Sequence, residues 1–597
     1  TREGFVASVS CESTVYLWDG TAWTTLPEGN ITANDNLYVN SGGSPSLTNS
    51  VSTNNTFIDN GATLDASSGD INIDQNLNNY GSITGTSDVV MSSSATQSII
   101  GSGSISNLTV DNGNSVNIDG KQDITGILSL TNGDINVASE GNLTFRSDAS
   151  GTAQLAEANG NNITGDVTVE RFIPTGDNSL RAFRFLSTAV NSTGTIFDNW
   201  QEGGNSPTGF GTHITGTDLG SGLGFDDSGS GNPSLLVFDN TATPNSDGWS
   251  FIDNTNSTSL EAGKGYNLFV RGDRSIDLFP GSTTPTPTNT TLRSTGTLAT
   301  GSLTTGVLAT NGIKLPELAS GDGDFSLIGN PYQAIVDITK VLDGTNSINL
   351  NTNYYWVWDP NKGSQGGYVS VDLSDGSNPG TSDADEFVQP GQSFFVQTSS
   401  TATTNLTFTE SAKNVTQTPT QVFSNNDQTS INLLLYTDQA LNNNDSEADA
   451  LGINFTANGN NGVDQMDAAK FTNIDENLAR SNNGNLISIE NKAMPVDGES
   501  LELFTNAYSA SNYTFVANVS NLPDGVDAYL VDNYAGNQTL LSDGVNQISF
   551  TVDSSIPDSV ASDRFSIDFD VETFGVDDNE LAEQISLYPN PTDGQFT

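Results

Sequence analysis

The sequence predicts an all-β protein, a right-handed parallel β-helix (a solenoid) followed by β-sandwich-like modules. Three observations predict it. Short apolar pairs recur between Asn, Gly and Ser turns through the first third of the chain. Period-two alternation of apolar and polar residues continues through the remainder. One short stretch, residues 465–471, reads as helical, and no other does.

In chain order the division is an N-terminal β element or cap (1–45), a β-solenoid (46–175), two copies of one β module (176–290 and 291–410), a β-sandwich (411–570), and an acidic linker leading to the start of a further module (571–597). The first element rests on Val15-Tyr16-Leu17-Trp18, then the turn pair Asp19-Gly20, then Ala22-Trp23. The solenoid rests on Phe57-Ile58, Thr63-Leu64, Ile71/Ile73, Val89-Val90-Met91, Ile99-Ile100, Leu108/Val110, Val116/Ile118, Leu128/Leu130, Ile135/Val137, Leu143/Phe145 and Val167/Val169. Strands this short cannot bury a face alone, but stacked in register they share one core. Asn and Gly tolerate the left-handed backbone that sharp corners demand. At about 20 residues per coil the segment holds about six or seven coils, roughly 30 Å in length at the usual spacing between strands. A β-sandwich of low-complexity sequence is the competing reading.

A duplication marks the next region. Phe183-Arg184-Phe185-Leu186, Leu235-Leu236-Val237-Phe238, Gly248-Trp249-Ser250-Phe251 and Gly265-Tyr266-Asn267-Leu268-Phe269 recur in kind and order. Their counterparts are Phe325-Ser326-Leu327-Ile328, Tyr355-Trp356-Val357-Trp358, Gly367-Tyr368-Val369-Ser370 and Pro390-Gly391-Gln392-Ser393-Phe394-Phe395-Val396, with a glycine again ahead of the last aromatic strand. Beyond a Thr/Gln/Asn-rich stretch at 411–428, strands around 431–436, 486–489, 513–519, 528–531 and 564–569 predict the sandwich.

Composition narrows the function. Acidic residues outnumber basic ones 71 to 18 in 597 residues, for a formal charge of −53. Such a surface repels nucleic acid and anionic lipid and suits a salty medium. Cys11 is the single cysteine and His213 the single histidine, so an intrachain disulfide and a cysteine-based zinc site are both excluded. No run approaches 18 apolar residues, so no transmembrane helix is expected. The first residue is Thr1, in keeping with a leader already removed.

Reactive constellations are sparse. His213 lies in Gly211-Thr212-His213-Ile214-Thr215 with no nucleophile signature, so a structural role outweighs a catalytic one. A β-helix lyase would need a cluster of bases, but Lys121, Arg146 and Arg171 are spread far apart. Carboxylate pairs carry no signal among 71 acids. Calcium is the more plausible cofactor, with Asp322 and Asp324 in one acidic loop and Asp445 and Asp449 in another as candidate ligands. Neither loop has EF-hand spacing, and the reading as solvated turns outweighs the one as a calcium site. Arg271-Gly272-Asp273 reads as an ordinary turn before it reads as an integrin motif. Alternation places Tyr354, Trp356 and Trp358 on one strand face as a candidate glycan-stacking set, with Tyr355 and Val357 on the other. At most one of the two faces is free.

The chain closes on Ser586-Leu587-Tyr588-Pro589-Asn590-Pro591-Thr592-Asp593-Gly594-Gln595-Phe596, a strand, a rigid proline elbow and a turn. This resembles the opening of the C-terminal sorting domain on cargo of the Bacteroidota type IX secretion system, carried here by Leu587, Tyr588, Pro589, Asn590, Pro591, Gly594 and Phe596. Trp18-Asp19-Gly20-Thr21-Ala22-Trp23, Gly329-Asn330-Pro331-Tyr332, Asp467-Ala468-Ala469-Lys470 and Asp563-Arg564-Phe565 extend the likeness to secreted Bacteroidota surface proteins. The resemblance implies export by the type IX machinery and attachment at the cell surface, not a reaction. The role read from the chain is non-enzymatic, adhesin-like or structural, with surface glycans or further copies of itself as partners. Self-association into an extracellular filament or coat through open strand edges is the alternative expectation. A carbohydrate-active enzyme is a weaker third.

Overall fold

The computed structural model describes residues 15–18, 31–139, 142–174, 182–216, 222–228, 231–279, 287–360, 367–378, 382–417, 429–443, 447–456, 459–464, 467–471, 473, 475–523 and 525–571. Cys11, Asp445 and the whole 587–596 motif fall outside them.

The chain first forms a β-solenoid of about seven turns, as the repeats predict. Three parallel sheets wrap one core. The first stacks Val15–Trp18, Asn36–Val39, Asn55–Ile58, Leu77–Asn79, Gln97–Ile100 and three later segments in register. The second begins with Val51–Thr53 on Ile71–Ile73. The third runs from Thr63–Asp65 to Leu143–Phe145 and Asp166–Ile173. The inward residues Leu37, Ile58, Ile73, Leu108, Ile118 and Phe145 are fully buried. The solenoid therefore starts before residue 46: Val15–Trp18 and Asn36–Val39 are coils of the stack and not a separate cap.

Asn recurs in the sequence because it links coils. The Asn55 backbone and side-chain amides both donate to Asn36 Oδ1 (3.1 and 3.0 Å), the Asn76 backbone to Asn55 Oδ1 (3.1 Å), and the Ser98 backbone to Asn76 Oδ1 (2.8 Å). Inside the core, the Asn79 amide donates to Gln122 Oε1 at 3.1 Å and the Asn112 amide to Gln97 Oε1 at 2.9 Å. These buried amides are satisfied, which makes their burial tolerable. At its far end the stack turns antiparallel. Asp166–Ile173 pairs with Thr290–Leu298, which also pairs with Val190–Ser192, so the last parallel edge is covered.

The duplication is real in three dimensions. The first copy builds a four-stranded sheet in the order Ala182–Leu186, Tyr266–Val270, Leu235–Phe238, Trp249–Phe251. The second builds Phe325–Gly329, Ser393–Gln397, Tyr354–Asp359, Gly367–Asp372, the same order by sequence rank. Each copy also completes the other. The Ser187 amide donates to Gly391 O (2.9 Å), and the equivalent Gly329 amide donates to Gly263 O (2.8 Å). Bridges Leu186–Gln392 and Ile328–Lys264 repeat the exchange. Gly263 and Gly391 hold φ of 71° and 74°, a left-handed bend that favours glycine at both equivalent sites.

Gly329-Asn330-Pro331-Tyr332 sits where the second copy meets the solenoid. The Asn330 amide donates to the carbonyls of Ala334 (2.8 Å), Val388 (3.2 Å) and Gln389 (3.1 Å), and its Oδ1 accepts from the Tyr332 amide (2.9 Å). Tyr332 donates to Gly301 O and Phe408 O. Gln333 then donates to Ala153 O of the last coils at 2.8 Å. Asn330→Ala strands three buried carbonyls and is expected to cost about 3 kcal/mol or more. Calorimetry checks this, and a change below about 1 kcal/mol would refute it.

The C-terminal strands form a sandwich-like double layer around one core that includes Leu433, Ile453, Leu503, Phe515, Leu530 and Ile567. The helix expected at 465–471 is absent from the residues described there. Ala468–Ala469 is a two-residue strand paired with Asn485–Ala493, and a six-residue helix lies instead at Asp438–Asn443. The helix propensity of Ala-Ala loses to pairing, because Ala468 is buried against the sheet and Asp467 Oδ1 accepts the Asn491 amide at 2.9 Å.

Candidate functional site

The two module sheets present aromatic residues toward one another and toward the sandwich. Alternation in Tyr354–Asp359 works as the sequence suggests. Tyr355 and Val357 enter one core, while Tyr354, Trp356 and Trp358 join a second with Phe185, Phe238 and Phe395. Both faces are therefore used. Trp356 is 7% exposed and packs edge-on to Phe325, with ring centres 5.0 Å apart, which removes it from ligand contact. Trp358 stacks on Phe185 at 5.5 Å and remains half-buried.

Phe471, from the stretch misread as helix, brings the sandwich onto this cluster. Its ring lies 5.1 Å from Phe325, 6.1 Å from Tyr368 and 5.7 Å from Phe395, the last pair stacked. Beside the cluster lies a cleft of about 590 Å³. The module side is aromatic, with Trp249, Phe251, Trp358 and Tyr368, and Phe471 of the sandwich adds a fifth ring. The opposite wall belongs to the sandwich and carries Glu447, Asp449, Lys470, Asp475 and Glu476. The size is that of a small-molecule site, and rings facing polar groups are its usual composition.

The charged wall is organised. Lys470 Nζ sits 2.7 Å from Asp449 Oδ1 and 2.5 Å from Oδ2, and the Leu478 amide also donates to Asp449. Glu447 accepts the Tyr436 hydroxyl at 3.1 Å; burial, aided by the Asp449 charge, pushes its carboxyl up to about 8. Glu476 goes the other way. Burial opposes its charge, but hydrogen bonds from Ser509 and Tyr513 outweigh it and hold the carboxyl below its usual range.

A raised folded-state value gives stability that is complete below the unfolded value and is lost as pH rises through the folded one. Glu447 should therefore make the protein progressively less stable between about pH 4.5 and pH 8. Glu447→Gln should flatten that part of a melting-temperature profile. An unchanged slope in the variant would show that Glu447 is not its source.

Of the candidate calcium ligands, Asp445 lies outside the described residues. Asp322 is exposed in the turn before Phe325–Gly329, where Asp324 uses its backbone to bond Gly321 and Thr398. Asp449 is already paired with Lys470. Among the described residues no group of three or more His, Cys, Asp or Glu side chains could hold a metal. His213 is part of a buried network, with Nε2 3.0 Å from Ile276 O and Nδ1 3.4 Å from Asp226, which also takes a two-pronged contact from Arg274 (2.8 Å each). Asp273 of Arg271-Gly272-Asp273 is 1% exposed and receives the Gly209 amide at 2.5 Å, so the tripeptide is a structural turn. Arg146 is taken up by Glu170 at 2.9 Å.

A family model described as a domain of unknown function (DUF8693) matches residues 228–569. The chain belongs to this family. The DUF8693 region holds every cleft residue named above, together with the second module copy and the sandwich, while the solenoid precedes it. Neither a curated protein nor a solved structure matches the chain. No helix among the described residues is long and apolar enough to cross a membrane.

Proposed function

We propose that this protein is a secreted, non-enzymatic, adhesin-like surface protein that holds a saccharide in the cleft of its DUF8693 region. One observation carries the reading: a wall of Trp249, Phe251 and Trp358 faces a wall of carboxyl groups across about 590 Å³. Aromatic rings stack on the apolar faces of sugar rings, and carboxylates and amides take the hydroxyl hydrogen bonds. Export through the type IX machinery is supported by the Leu587-Tyr588-Pro589-Asn590-Pro591 motif.

A glycan array followed by titration calorimetry tests the reading. Saturable hits that weaken about tenfold or more in Phe251→Ala, a residue 40% exposed, are the expected result. Absence of any saturable saccharide would overturn it.

A second reading, a carbohydrate-active enzyme, is favoured by one observation. Glu447 and Glu476 line the same cleft and are shifted in opposite directions, as an acid and a carboxylate partner would be. Release of reducing ends from a polysaccharide panel, abolished in Glu447→Gln, would select it.

A further inference from the structure

The charge of the cleft narrows its ligand. Among the described residues that line it, Lys470 is the single cation, and both oxygens of Asp449 already engage its ammonium. Asp475 is exposed on the same wall, and Glu476 keeps its charge through Ser509 and Tyr513. Any ligand thus meets unbalanced negative charge on one side and π faces on the other, within a chain of net charge −53. An anionic sugar would be repelled there, and a neutral sugar would gain stacking and hydroxyl hydrogen bonds without any charge attraction. An ammonium gains twice, from the carboxylates and from the electron-rich ring faces.

We propose that the cleft takes an oligosaccharide bearing free ammonium groups, a de-N-acetylated amino-sugar polymer segment. This rests on the saccharide reading above and names the sugar class. The sugar ring lies against Trp249, Phe251 and Trp358, and its ammonium points toward the exposed Asp475, with the buried charge of Glu476 behind it. The family model covers all of these residues, so the preference belongs to the DUF8693 region and not to the solenoid.

Calorimetric titration of the full chain at pH 6 and low salt, with four tetramers, tests it. These are glucosamine, N-acetylglucosamine, galacturonate and lysine. Glucosamine tetramer is expected to bind about tenfold or more tighter than its N-acetyl analogue. Asp475→Asn should narrow that gap several-fold, and Phe251→Ala should weaken both sugars. Both changed side chains are exposed, so folding is preserved. Equal or tighter binding of the N-acetyl or galacturonate tetramer overturns the ammonium preference and leaves the saccharide reading intact. Tetralysine binding as tightly as glucosamine tetramer overturns it too, by showing general attraction to an acidic surface. If no tetramer binds, both readings fall.

Discussion

Arg564→Ala is expected to lower the stability of the C-terminal sandwich by about 3–5 kcal/mol, the usual cost of leaving half of a buried ion pair behind. Arg564 is 3% exposed. Its guanidinium forks onto Asp532 at 2.9 and 2.6 Å and donates to the carbonyls of Thr551 (2.9 Å) and Ser559 (2.8 Å). The rings of Tyr534, Phe550 and Phe565 surround it at 4.8–5.2 Å. Lysine cannot reproduce the fork, so Arg564→Lys should recover only part of the loss. Burial works against the Asp532 charge, but Arg564 outweighs it and holds the carboxyl below its usual range. The linkage then runs opposite to that of Glu447. The contribution is present above the unfolded carboxylate value near 4 and is lost as pH falls through the folded one. Arg564→Ala should therefore also make the acid limb of the stability profile shallower. Calorimetry from pH 3 to pH 7 measures both effects, and a variant within about 1 kcal/mol of the parent at pH 7 would refute the assignment.

Phe395→Ala should act at a distance from its own strand. Phe395 is 1% exposed, with ring centres 5.1 Å from Phe238, 5.6 Å from Phe185 and 5.7 Å from Phe471. Truncation removes a ring shared by both module copies and the sandwich and leaves a cavity, at a cost of about 3–5 kcal/mol. Because Phe471 also lines the cleft, saccharide binding should be lost with it. The neighbour supplies the control. Phe394 is fully buried on the opposite face against Tyr355, at 5.5 Å. Phe394→Ala should cost comparable stability while sparing the cleft. Equal binding losses in the two variants would show that general loosening, and not the shared ring, governs the site.

Much of the architecture was legible in the sequence, for physical reasons. A strand of three residues with one inward side chain writes itself as an apolar pair, and left-handed corners write themselves as Asn and Gly. Hence Ile71/Ile73 and Leu108/Val110 could be placed inward from letters alone. The duplication was legible because both copies keep a glycine ahead of their last aromatic strand. The solenoid's start was misplaced because parallel pairing of Val15–Trp18 with Asn36–Val39 spans about 20 residues, and each strand alone looks like half a hairpin. The stretch at 465–471 misled because local propensity favours a helix where a sheet edge is available.

The cleft was the hardest part to read. Trp358 was singled out, but Trp249, Tyr368, Phe471 and Glu447 were not, since they are far apart in sequence and meet only when three units pack. Strand alternation tells which residues share a face, not what covers it. The Gly-aromatic pairs Gly248-Trp249 and Gly367-Tyr368, which occupy equivalent positions in the two copies, were the available signal.

The reciprocal bonds Ser187–Gly391 and Gly329–Gly263 have an evolutionary reading. Two identical chains exchanging strand ends in this way would make a two-fold symmetric homodimer. Joining them in one polypeptide makes their association independent of concentration. It also frees each half to change alone. Asn267 of one half stands where Phe395 stands in the other, so the two halves keep the same exchange of bonds while their side chains differ.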